Sequence, residues 1–218
     1  MQLYSYFRSS ASYRVRIALN LKGLAFETVP VHLLRSGGEQ LTPEFRRLNA
    51  DGLVPVLIDD NGEQPAALTQ SLAIIEYLEE MHPSPALLPD NPGDRAHVRS
   101  LALSIACDIH PLNNLRVLRY LVRNLKVGEE DKNGWYRHWC EQGLAALERT
   151  LANDARTGRF CFGNTPGLAD CCLVPQIANA QRLDCDLSNM PTIMRINDAC
   201  QALDAFADAA PAKQPDAE

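Results

Sequence analysis

The sequence predicts an α/β N-terminal domain followed by an all-α C-terminal domain, on three observations. Short strand-like apolar runs alternate with helical periodicity over residues 1–82. A proline-rich stretch then interrupts the chain, and beyond it the apolar pattern is helical only.

Gln2 to Tyr6 reads as a strand, and Val15, Ala18, Leu19 and Leu21 to Leu24 set out a helix that stops near Gly23. A second strand follows at Phe26 to Val31, giving a β-α-β opening for which a right-handed crossover and parallel pairing are expected. Val54 to Ile58 and Ala67 to Thr69, separated by Asp60-Asn61-Gly62, read as a β-hairpin. Ser71 suits the cap of a helix whose apolar face carries Leu72, Ile75 and Leu78. The order β-α-β-α-β-β-α is the thioredoxin-like arrangement on a mixed sheet.

Four prolines in the eleven residues His82 to Pro92 disfavour regular structure, so 83–92 reads as a linker. Helical stripes follow: Val98, Leu101, Ala102, Ile105 and Ile109; Leu115, Leu118, Val122 and Leu125; Cys140, Leu144, Leu147 and Leu151; Ile193, Ile196, Cys200 and Leu203. These define an all-α domain over 93–207. The remainder, 208–218, is small, polar and proline-bearing and is expected to be a mobile tail.

The 218 residues carry a formal net charge of −6, with Lys and Arg dispersed, so nucleic acid is not an expected partner. Seven cysteines, an odd number without a Cys-x-x-Cys pair, argue against a disulfide framework or a zinc site; no metal is expected, and most should be small buried hydrophobes in a reducing compartment. No apolar run reaches the length of a membrane span and no basic-then-apolar leader opens the chain. The expected location is cytoplasmic, with no membrane partner.

Three stretches are candidates for chemistry. Phe7 to Arg16 enters the first helix, where unpaired N–H groups and the helix dipole favour an anion and the hydroxyl of Ser9 or Ser10 can donate to a thiolate; the same serines also suit plain capping. Val54-Pro55 precedes a strand and leaves backbone free to bond an extended peptide, especially with a cis bond. Gln70-Ser71 opens a helix whose N-terminus can hold a carboxylate. All three lie at the ends of elements of one sheet.

Together they resemble a glutathione site, and the wording resembles the zeta class of glutathione transferases. Tyr6 to Leu19 looks like that family's Ser-Ser-Cys-x-x-x-x-Arg helix, and Gln70 to Glu80 is similar to its later helix. Leu87-Leu88-Pro89, Ile109 to Asn114 and Ala169 to Gln176 extend the resemblance to about residue 205.

The resemblance implies glutathione as cofactor, with Ser9 and Ser10 toward the sulfur, Val54 and Pro55 toward the cysteinyl backbone, and Gln70 and Ser71 at the γ-glutamyl end. Gln40, His110 and Asn114 match further positions near the tripeptide. Arg8, Arg116 and Arg182 match basic positions facing a small acidic substrate. It further implies a homodimer and cis-to-trans isomerisation of maleylacetoacetate to fumarylacetoacetate. The alternatives are maleylpyruvate isomerisation, general glutathione transfer, or a non-catalytic interaction module.

Two departures stand out. Ala11 replaces the signature cysteine, so glutathione itself must be the nucleophile. Gly167 stands where the family has a hydroxyl N-cap, a change worth a few tenths of a kcal/mol.

Overall fold

The computed structural model describes residues 1–60 and 66–218. Its described residues fall into two compact units, Met1–Leu87 with Ala202–Glu218, and Leu88–Gln201.

Unit 1 runs β1 (Gln2–Ser5), α1 (Ser10–Leu21), β2 (Glu27–Pro30), α2 (Pro43–Leu48), β3 (Val56–Asp59), β4 (Ala66–Thr69) and α3 (Ser71–Met81). The sheet order is β2-β1-β3-β4, with β1 parallel to β2 and antiparallel to β3, and β3 antiparallel to β4. This is the expected thioredoxin-like order. Of the hairpin turn Asp60-Asn61-Gly62, all but Asp60 lies outside the described residues.

Strand alternation sorts side chains to the two faces of the sheet. Tyr4, Tyr6, Val56 and Ile58 pack with Phe7, Val31, Phe45, Val54 and Leu48, so α2 covers one face. Ser5 points the other way, where its Oγ accepts from Arg16 Nη1 of α1 at 3.0 Å; α1 packs in turn on α3.

The end of the chain returns to this unit. The short helix α9 (Asp204–Ala207) lies on α1, with Tyr13 Oη donating to Phe206 O at 3.3 Å and Asn20 Nδ2 to Ala205 O at 3.0 Å. Composition leaves 208–218 little to bury. Its anchors are hydrogen bonds: Arg16 Nε to Ala209 O at 2.9 Å, Phe7 N to Asp216 Oδ2 at 2.9 Å, and an ion pair of Arg35 with Glu218.

Unit 2 contains α4 (Pro92–Leu103), α5 (Leu115–Arg123), α6 (Glu129–Ala152), α7 (Leu168–Arg182) and α8 (Pro191–Gln201), and no strand among its residues. The stripe from Val98 to Ile109 does not stay on one α-helix. After Leu103 the chain widens into π-helical turns over Ser104–Ile109, then tightens into a 3₁₀ turn at His110–Asn113. Leu125 falls beyond α5 and is exposed, and Leu203 follows α8 to cap α9. Five of the seven cysteines are buried, Cys185 is half-buried and Cys107 exposed.

Helix α7 is the buried centre of this unit, apolar on nearly every face from Leu168 to Ile177. Gly167 at its N-cap is extended, and only half a capping box forms: the Asp170 carboxylate accepts from Gly167 N at 2.8 Å and Cys161 N at 2.9 Å, while glycine offers nothing in return. Burial pushes the Asp170 carboxyl above its usual range, and the backbone donors oppose the shift.

Candidate active site

Ser9 is the N-cap of α1, its Oγ accepting from Ser12 N at 3.2 Å. A hydroxyl has one proton and two acceptor sites, so capping leaves the Ser9 O–H to donate. Ser10 is the first helical residue and is buried. Arg8 is exposed, with its guanidinium carbon 4.7 Å from the Phe7 ring centroid.

The peptide bond between Val54 and Pro55 is cis, and both residues are buried just before β3. At the start of α3 the expected cap moves by one residue. Ser71 is already helical, Gln70 is the N-cap, and the Gln70 side chain makes no cap hydrogen bond to the first-turn amides. Instead, Ser71 Oγ accepts from Arg14 Nη1 at 3.3 Å inside the unit.

Gln70 has φ 68° and ψ 116°, a conformation costing a side-chain-bearing residue about 1–3 kcal/mol. Such strain at a helix N-terminus with uncapped amides suits a backbone held for a ligand rather than for the fold.

Gln40 is buried beneath Gly38, whose φ is 118°. A Cβ at Gly38 would meet Gln40 Oε1 at 2.6 Å and Leu33 O at 2.9 Å, so the loop can close over Gln40 only with glycine there. Gln40 Oε1 is buried with no hydrogen-bond partner among the described residues. An orphaned buried acceptor costs about 1–3 kcal/mol, which a donor on a bound tripeptide would recover. The donor set of unit 1 therefore fits glutathione: hydroxyl and helix dipole for sulfur, extended backbone for the peptide, uncapped amides for a carboxylate.

In unit 2, Asn114 caps α5 through Oδ1, which accepts from Arg116 N at 3.1 Å, and its Nδ2 lies 3.5 Å from His110 Nε2. Trp135 Nε1 to Leu112 O at 3.0 Å and Asn113 Nδ2 to Tyr136 O at 3.2 Å hold this turn on α6. Arg116 is exposed in the first turn of α5. Arg182 is exposed at the end of α7, 3.4 Å from Asn179 Oδ1. Arg119, one turn on, has its pKa lowered by burial first and then by Arg123.

The model for the glutathione S-transferase N-terminal domain matches residues 8–81. A probable maleylacetoacetate isomerase of Vibrio cholerae is 55% identical over 215 residues, covering 99% of this chain and 97% of that protein. The holo structure of a maleylpyruvate isomerase, a bacterial zeta-class glutathione transferase, superposes with a TM-score of 0.95 at 48% identity over all of both chains. This chain belongs to the zeta class of the glutathione transferases.

A second comparison is the maleylacetoacetate isomerase of Methylobacterium extorquens AM1, 43% identical over all of both chains with a TM-score of 0.95, solved with malonate and glutathione bound. In the present zeta-class chain, the sequence reading included Arg14 and Arg16, the latter as the arginine of the Ser-Ser-Cys-x-x-x-x-Arg pattern, but assigned neither a role. Their signal was two cations inside the apolar run of α1, both buried in the fold. The sequence reading overlooked Asp216, which nothing in its polar surroundings distinguishes.

Proposed function

We propose that this chain is a glutathione-dependent cis-trans isomerase of a maleyl diketo acid, with maleylacetoacetate to fumarylacetoacetate as the first reading. The observation that carries it is the set of ligand-ready groups in unit 1: a Ser9 hydroxyl with a free proton at the α1 N-terminus, the strained Gln70 before uncapped α3 amides, and the orphaned Gln40 Oε1. The names of its relatives supply the substrate class.

Glutathione supplies, when bound, a thiol for reversible addition to the activated double bond. Ser9 donates a hydrogen bond to the sulfur, with Ser10 beside it, and the α1 dipole favours the anionic form. Gln40, Val54 and Pro55, Gln70, Ser71, His110 and Asn114 orient the tripeptide. Arg8, Arg116 and Arg182 bind the substrate carboxylates and stabilise the negative charge that passes to the substrate as the thiolate adds, before the bond rotates and the thiolate leaves again. Ala11 offers no competing thiol.

Residues 1–82 form the glutathione-binding domain in this reading, 83–92 the linker and 93–207 the substrate domain, in a cytoplasmic homodimer. Among the described residues no helix is long and apolar enough to cross a membrane.

Maleylpyruvate is the second reading, favoured by the similarity to the zeta-class maleylpyruvate isomerase. Steady-state rates on both substrates, with and without glutathione, test the proposal. A kcat/KM higher for maleylacetoacetate and absolutely dependent on glutathione is expected. Rates on electrophilic halides far above either isomerisation would overturn it in favour of general transfer, and failure to bind millimolar glutathione would favour a non-catalytic module.

A further inference from the structure

We propose that Asp216 of the C-terminal tail is a positioning residue that aims the Arg8 guanidinium by holding Phe7. The proposal rests on reading Arg8 as facing the substrate.

Phe7 lies two residues past the end of β1, beyond the ladder's last bond from Val31 N to Ser5 O. Its N–H must find an acceptor elsewhere, and Asp216 Oδ2 provides one at 2.9 Å. The Phe7 carbonyl accepts from Arg16 Nη2 at 3.1 Å. The backbone of Phe7 is thus held on both sides, and Arg16 also binds the tail through Ala209 O. Burial lowers the Arg16 guanidinium to about 10, opposed by Tyr13 and then Asp216, so it stays a cation at neutral pH beside this carboxylate.

The tail is anchored on both sides of Asp216. Ala209 is held before it, and after it Glu218 pairs with Arg35 and lies 3.5 Å from His32 Nε2. His32 is fixed because its Nδ1 accepts from Leu34 N at 3.2 Å and Arg35 N at 2.8 Å.

The Phe7 ring is buried, edge-on to Tyr6 at 4.8 Å, and Tyr6 is edge-on to His32 at 5.0 Å. Exposed Arg8 lies 4.7 Å from that ring's centroid. A cation over an aromatic ring is attracted to its face, which narrows the orientations of an otherwise free side chain. The sequence of cause is Asp216 to the Phe7 amide, the Phe7 ring, and then the Arg8 guanidinium.

The test compares full-length wild type with Asp216→Ala, Asp216→Asn and a chain ending at Ala210. Four quantities are read: hydrogen exchange of the Phe7 amide, the Arg8 Nε–H resonance shifted by the Phe7 ring, glutathione Kd, and kcat and KM for the maleyl substrate. Asp216→Ala and the shortened chain should expose the Phe7 amide, move the Arg8 resonance toward its value in unstructured peptide, and lower kcat/KM about tenfold, with glutathione Kd nearly unchanged. Asp216→Asn retains an acceptor oxygen and should restore all of these.

Unchanged Phe7 exchange or Arg8 resonance in Asp216→Ala would overturn the proposal. So would losses in Kd and kcat/KM that parallel a lower unfolding midpoint and are not rescued by Asn. If the wild type isomerised neither maleyl substrate, the functional reading would fail, while the two spectroscopic readouts would still decide whether Asp216 positions Arg8.

Discussion

Lys22 Nζ donates to Glu79 Oε2 at 2.7 Å with side-chain exposures of 0% and 7%, and the same ammonium donates to His82 O at 2.6 Å and Pro85 O at 3.0 Å. Glu79 in turn accepts from Leu87 N through both oxygens, at 3.1 and 3.0 Å. One buried ion pair therefore ties the end of α1 to α3 and fastens the proline-rich segment that follows α3.

Breaking this pair from one side leaves a buried charge without its partner, which costs about 3–5 kcal/mol. Lys22→Met should lower the urea midpoint accordingly, and Lys22→Met with Glu79→Gln, which removes the unpaired charge but keeps an acceptor for Leu87 N, should recover part of the loss. A single variant as stable as wild type would show that the ammonium is not holding the segment.

Gln70 provides a separate test of strain. Replacing it with glycine removes about 1–3 kcal/mol of backbone strain and adds about 0.5–1 kcal/mol of chain entropy cost. Stability should rise or stay level while glutathione affinity falls. The comparison needs calorimetric titration with glutathione beside a melting curve; a variant that melts earlier would mean that the Gln70 side chain supports the fold.

The strands of unit 1 and helices α1 and α3 were legible because each carries its own apolar period and is bounded by turn residues, whereas the short α2 (Pro43–Leu48) has too few apolar positions to show one and entered the order without residues. Helices α6 and α8 were equally plain, with Cys140, Leu144, Leu147 and Leu151 and Ile193, Ile196 and Cys200 all buried. The cap at Gln70 was not legible, because a positive φ is imposed there by surroundings and glutamine has no preference for it. Nor was the widening at Ser104–Ile109, where the apolar spacing still suits an α-helix. The roles of Arg14, Arg16 and Asp216 depend on partners 9 to 209 positions distant in sequence, which local pattern does not encode.

Ser9 has two roles that a single variant will disturb together. Ser9→Ala removes the cap on Ser12 N, costing about 0.5–2 kcal/mol of stability, and removes the donor to sulfur. Without that donor the bound glutathione thiol should titrate at higher pH, so the thiolate absorbance and the acid limb of kcat should both shift upward. Ser9→Thr should retain both. An unshifted titration with normal glutathione binding would move the sulfur contact to Ser10 or to the backbone.

Cys107 is the exposed thiol, Cys185 is half-buried and the other five are buried. Iodoacetamide should label Cys107 first, and activity should survive, because no cysteine lies between Phe7 and Arg16. Peptide mapping against residual activity checks this. Inactivation that follows the labelling of one cysteine would contradict the assignment of glutathione as the sole nucleophile.

Arg8, Arg116 and Arg182 share exposure but not surroundings. Arg8 rests on the Phe7 ring, Arg116 stands in the first turn of α5 after the Asn114 cap, and Arg182 ends α7 beside Asn179. A cation at the N-terminal end of α5 gains nothing from its own helix dipole, which favours anions there, so its presence suits an external carboxylate better than helix stability. Arg182 differs, since a C-terminal cation is favoured by the dipole and has a structural reason to exist without substrate. Loss of one charge-assisted contact costs about 1.5–3 kcal/mol, or roughly tenfold to more than a hundredfold in kcat/KM. Arg8→Met should therefore show the full loss with glutathione affinity nearly intact, and Arg116→Met a loss of similar kind. Arg182→Met should add a small drop in melting temperature. Lysine at each position retains charge but not the bidentate fork, so it should recover only part of the rate. The assignment fails for any of the three whose methionine variant weakens glutathione binding as much as turnover, or changes neither.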